Sequence, residues 1–270
     1  SSSSSSSLVS PTTSSLQQID VNLNLKTACE VFGNEGSAIL VECQKCVASN
    51  QSIISAFNKN ALPNGISQDD AAASIFMWTW HPSPSSSKPK DRKQNKSCVP
   101  SEMLNKWLCS SNSAEQGLAT SMIGIILSSL RSLSKEAPRT LYHSINGGSL
   151  DTKLYHSGAT ITFNQMIEAT DSMTVATGSD DNFMTIFRME NTVGHSIDRF
   201  SFSPEKQQVL IEPGATFLVQ SVDTERSTVT IENKQVTVVK WLVVMEMTAT
   251  HPLLPTLVQS STVPPVISQV

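Results

Sequence analysis

The sequence predicts an α+β domain in which helices come first and strands follow. Three observations carry this. Apolar residues recur at three- and four-residue intervals through the first half, and beyond Thr140 the texture changes to short β-branched and aromatic segments. A hydrophobic content of 39% over 270 residues is ample for a core. Helices followed by strands, rather than alternating units, point to an antiparallel-rich sheet.

Residues 1–18 are mostly small and polar, a composition that does not offset the entropy of ordering, so a disordered Ser-rich lead-in is expected. A helical lobe is expected over 19–135. Leu25, Ala28, Val31 and Phe32, then Ile39, Leu40, Cys43 and Val47, keep helical spacing. Asn64-Gly65 breaks it. Ser67 with Asp69 and Asp70 offers a cap for a helix running through Ala72, Ile75 and Phe76 to Trp80. Residues 81–97, with three prolines and Lys88, Lys90, Arg92, Lys93 and Lys96, read as a basic exposed loop. Helical spacing returns over Ser101 to Cys109 and from Glu115 to about Leu133, before Pro138. A β core is expected over 136–247, with strands at 140–142, 159–163, 182–189, 209–211, 216–222, 227–232 and 236–247. Residues 248–270 read as a loose Pro-containing tail. LYHS occurs at Leu141 and again at Leu154, too short a period for a repeat architecture.

Net charge is −4, which argues against a nucleic-acid binder, since phosphate neutralisation needs excess Lys and Arg. No apolar run reaches the length of a membrane span. The five cysteines (Cys29, Cys43, Cys46, Cys98, Cys109) leave disulfide pairing open. Cys43-x-x-Cys46 lacks the second pair of a zinc ribbon, so no metal is expected, and two cysteines one turn apart on a helix suffice to explain it. N-x-S sequons at Asn50 and Asn95 fit a secreted or cell-surface protein.

One ordered series of segments goes further. SIDRFSFSPEKQQVLIEPGATFLVQSV, Ser196 to Val222, has a Ser-hydrophobic-Ser stretch, an acidic residue, Val-Leu-Ile and a strand carrying Phe. MTIFRME precedes it, LSSLRSLSKEAPRTLYHSI spans Leu127 to Ile145, and MWTW and MLNKWL lie further upstream. Together these segments resemble the arginine-specific mono-ADP-ribosyltransferase family. The resemblance implies an ADP-ribosyltransferase-like fold with a helical lobe and a mainly antiparallel two-sheet core, NAD as substrate and a protein target.

It also locates the site residues and shows where they depart from the family. The NAD-binding Arg position holds His143, followed by Ser144. The Ser-Thr-Ser motif reads Ala169-Thr170-Asp171, and Glu-x-Glu reads Lys206-x-Gln208. Cleavage of the nicotinamide–ribose bond develops positive charge that a carboxylate stabilises. Gln208 can accept a hydrogen bond without supplying that charge, a loss typically worth about a hundredfold in rate. Lys206 adds a repulsive cation, Ala169 lacks the orienting hydroxyl, and His143 lacks the forked donors of guanidinium. The expected function is a catalytically degenerate binding or pseudoenzyme module. The alternative is an active divergent transferase or NAD glycohydrolase that recruits Glu205, Glu212 or Asp171. A one-residue strand slip bringing in Glu205 would turn Val209 and Ile211 to the wrong face.

Overall fold

The computed structural model describes residues 24–82, 98–110, 112–134, 136–146, 150–177, 184–231 and 234–250. The expectations for the Ser-rich lead-in, most of the basic loop including Asn95, and nearly all of the Pro-containing tail lie outside them.

The helical lobe contains α1 (Leu25–Ala28), α2 (Gly36–Ser49), α3 (Gln68–Trp78), α4 (Pro100–Leu108) and α5 (Ser113–Ser132). The spacing expected to run on from Leu25 is interrupted at Gly33, whose φ of 63° turns the chain out of the helix. A 3₁₀ segment, Cys29–Glu35, spans the break. α3 starts as expected. Ser67 Oγ accepts from Asp70 N at 3.0 Å and the Asp70 carboxylate accepts from Ser67 N at 3.2 Å, closing a capping box. Every residue from Ala71 to Trp78 is buried, so α3 is the central helix, and it packs on α2 and α5. α4 opens on Pro100, where a missing N–H costs nothing.

The strands are β1 (Arg139–Asn146), β2 (Thr160–Phe163), β3 (Ile167–Thr170), β4 (Met184–Thr192), β5 (His195–Ser196), β6 (Gln208–Ile211), β7 (Ala215–Ile231) and β8 (Lys234–Thr250), with a short helix α6 (Met173–Thr177) after β3. Their order is β2-β7-β8-β4-β1-β3-β6-β5. All neighbours are antiparallel except β4 and β8. The expected two sheets survive as two parts of one ladder, because β1 and β3 are joined through a single pairing, Tyr142 opposite Thr170. The segments expected at 216–222 and 227–232 are one long strand, β7, which pairs with β8 over most of its length. The two LYHS tetrapeptides take different structures: Leu141 to Ser144 lies in β1, Leu154 to Ser157 in turns.

Two cores sit on opposite faces of β3 and β6. Leu210 and Met166 join the helical core with Trp78, Phe200 and Leu130. Ile167, Ala169, Val209 and Ile211 join the strand core with Phe187 and Phe217. The five cysteines are unbridged, and burial pushes the Cys29 thiol up to about 12, so it stays protonated and unreactive. Cys43 and Cys46 lie on α2, as their spacing predicts.

Candidate functional site at the junction of β1, β3 and β6

β3 and β6 run antiparallel with Thr170 opposite Gln208, Ala169 opposite Val209 and Glu168 opposite Leu210. Side chains alternate between faces along a strand. Val209, Ile211 and Ala169 therefore enter the strand core, while Gln208 and Glu168 share the face toward the helices. This register leaves Glu205 outside β6, exposed on a 3₁₀ turn, Pro204–Lys206.

Gln208 is 6% exposed, and both ends of its amide are engaged. Oε1 accepts from Ser201 Oγ at 2.6 Å, and Nε2 donates to Glu168 Oε2 at 3.2 Å. Ser201 is held by the MWTW segment: Thr79, just past the end of α3, donates to the Phe200 carbonyl at 3.4 Å and accepts from Phe202 N at 3.3 Å. Phe200 in turn packs against Phe57, ring centres 5.0 Å apart.

Glu168 is the carboxyl beside Gln208 that motif comparison does not single out. Its carboxyl is held above the ordinary carboxylate range by burial, opposed by the Trp78 indole, the charges of His81 and Lys206, and the Gln208 amide. The Trp78 Nε1 is buried beside it without forming a complete hydrogen bond to any group. Strand alternation carried the one available signal, since Glu168 lies two residues before Thr170 and so on its face.

His143 lies on the other side of the junction. Its Nδ1 is 2.6 Å from the Glu168 carbonyl, which only accepts, so Nδ1 carries the proton. The ring stacks near Phe187 at 6.0 Å, and burial lowers its pKa from the usual value despite that hydrogen bond. A neutral imidazole cannot supply the charge by which a guanidinium holds phosphate. Ser144 Oγ is spent on the Ala176 carbonyl of α6, and Thr170 Oγ1 accepts from Ser172 N. Asp171 points to solvent, 3.6 Å from Arg139 Nη1. Lys206 is exposed at the end of the 3₁₀ turn.

Glu212, the other candidate acid, belongs to a separate cluster. Its Oε2 accepts from Arg131 Nε and Nη2 at 2.9 and 2.5 Å, and its Oε1 accepts from His195 Nε2 at 3.1 Å. No helix among the described residues is long and apolar enough to cross a membrane.

A helical lobe packed on a sheet split at one bridge is an ADP-ribosyltransferase-like fold, as similarity to solved structures shows. Residues 122–237 match the family model for NAD:arginine ADP-ribosyltransferase. The fold is similar to that of the eucaryotic mono-ADP-ribosyltransferase ART2.2, at 16% identity and a TM-score of 0.50, covering 83% of this chain and 84% of that one. It is likewise similar to the type III effector XopAI from Xanthomonas axonopodis pv. citri, at 15% identity and a TM-score of 0.50, covering 83% and 86%. The Vis toxin, an ADP-ribosyltransferase from Vibrio splendidus, aligns at 14% identity over 80% and 86% with a TM-score of 0.46. No curated protein matches the chain.

Proposed function

We propose that this chain is an NAD-binding module on the ADP-ribosyltransferase scaffold, catalytically degenerate at its motif positions, that engages NAD or a protein target through the junction of β1, β3 and β6. The observation that carries this reading is the Gln208 amide. The sequence resemblance assigns it the motif acid's position, and it has both polar atoms committed inside the protein and brings no negative charge. Lys206 in place of the first motif acid and a neutral His143 in place of Arg support the same reading, because each removes an electrostatic contact on which the family reaction depends.

NAD is expected to raise the melting temperature, since a ligand bound only by the native state stabilises it. The variant Ala169→Ser, Lys206→Glu, Gln208→Glu is expected to release nicotinamide from NAD at least about tenfold faster than the parent protein. Complete loss of nicotinamide release on Gln208→Ala, with release unchanged in Glu168→Gln, would show that residue 208 is itself the working group and would overturn the degenerate reading. One observation favours a second reading, turnover by an acid outside the motif. That observation is the carboxyl of Glu168, in hydrogen-bond contact with Gln208.

A further inference from the structure

We propose that Glu168 supplies the carboxylate that faces the ribose of bound NAD, so that the working acid has moved from β6 to the neighbouring strand β3. This rests on the NAD-binding half of the reading above and replaces only the assumption that a lost motif acid means a lost acid.

Cross-strand pairing makes the exchange possible. Gln208 stands opposite Thr170, and Glu168 is its diagonal neighbour on the same face, a separation that long side chains bridge. The contact is made at 3.2 Å. Ser201 to Gln208 to Glu168 forms a directed chain: the hydroxyl donates to the amide oxygen, and the amide NH₂ donates to the carboxylate. Gln208 is thereby a positioning residue. Its amide aims the carboxyl and favours the ionised form, which two carboxylates side by side could not do.

Glu168 is also a poor structural group. No cation forms an ion pair with it among the described residues, and the groups that face its carboxyl most closely are the neutral Gln208 amide and Trp78 indole. A half-buried carboxyl kept without a paired cation is unfavourable for the fold, and an apolar residue would serve β3 better. Such a group, at the junction where the motif strands meet, has the marks of a functional acid.

In the reaction, the bond between ribose C1′ and the pyridinium nitrogen breaks and its electron pair leaves with neutral nicotinamide. Glu168 stabilises the cationic sugar. Water then adds at C1′ and gives up its proton, so NAD⁺ and water yield ADP-ribose, nicotinamide and one proton. Water fits the site as acceptor better than an arginine side chain, because the Lys206 charge already acts on Glu168 and would repel a guanidinium.

The test measures nicotinamide release and the NAD-induced melting shift on the full chain. The parent protein is expected to release nicotinamide slowly, Glu168→Gln about a hundredfold more slowly still with the NAD shift retained, and Glu205→Gln at the parent rate. Glu168→Asp keeps the charge with a shorter reach and is expected to fall between, its rate still rising with pH as the carboxyl ionises. Should Glu168→Gln fail to fold, Glu168→Asp and the pH profile decide. If NAD shifts the melting temperature but the parent releases no nicotinamide, or Glu168→Gln releases it at the parent rate, the assignment of Glu168 is overturned. If NAD shifts neither parent nor variant, the NAD-binding reading itself fails.

Discussion

Glu168 and Glu212 lie on the same three-stranded part of the sheet, one in β3 and one just past β6, and both are half-buried. Burial acts on the two carboxyls in the same direction, toward a raised pKa, yet the outcomes are opposite. At Glu212 burial is outweighed by hydrogen bonds from His195 and Arg131 and by their charges, so its carboxyl is held below the usual carboxylate range. At Glu168 the opposing contacts are weaker and the carboxyl stays raised. Desolvation alone does not make a carboxyl structural or reactive. The number and charge of its donors decide, and they hold one carboxyl below its usual range and leave the other above it.

Removing each glutamate should break that symmetry. Glu212→Ala leaves Arg131 without its partner and strips the last hydrogen bond from His195, whose Nδ1 is already buried without one. A loss of about 2 kcal/mol is expected after allowing for the partial exposure of Arg131, read as a lower midpoint in urea denaturation with the slope unchanged. Glu168→Gln removes a poorly compensated charge, so its stability at neutral pH should match the parent's or exceed it by up to about 1 kcal/mol. A Glu168→Gln protein as unstable as Glu212→Ala would mean that Glu168 is structural after all.

The two carboxyls should also bend the pH dependence of stability in opposite senses. Glu212 has a lowered folded pKa, so its contribution is present above the ordinary carboxylate value of 4.5 and is lost as pH falls through the folded value. Glu168 has a raised folded pKa. The native state then holds its proton where the unfolded chain has lost it, and stability declines as pH rises from 4.5 through the folded value. Melting curves from pH 3 to 8 for the parent and for Glu168→Gln should differ above pH 4.5, with the decline smaller in the variant. Those for Glu212→Gln should differ from the parent mainly at the acid end.

The reach of the sequence follows the same division. Elements fixed by local chemistry were legible: the Ser67 and Asp70 cap of α3, the Val209-Ile211 face of β6, and the helices flanking Trp78 and Leu130. β3 was not found by periodicity, because four residues, Ile167 to Thr170, are too short for alternation to stand out, and only the family resemblance pointed to it. Glu168 escaped for a related reason. Motif comparison asks what stands at position 208, whereas Glu168 reaches the Gln208 amide from the paired strand, and pairing is a non-local property. The break at Gly33 was likewise hidden, since apolar spacing continues across it.

Asp171 closes the series as the third carboxyl near the motif and the one with least effect. Its side chain is 48% exposed, and its partner Arg139 stands at 3.6 Å while also pairing with Glu136 at 2.8 Å. Water screens such a pair and the arginine keeps another acid, so Asp171→Asn should change stability by less than about 0.5 kcal/mol. Raising the salt concentration should abolish what difference there is, because an exposed pair at this distance is open to counterions. A larger, salt-resistant loss on Asp171→Asn would place this carboxyl with Glu212, among the groups that brace the fold.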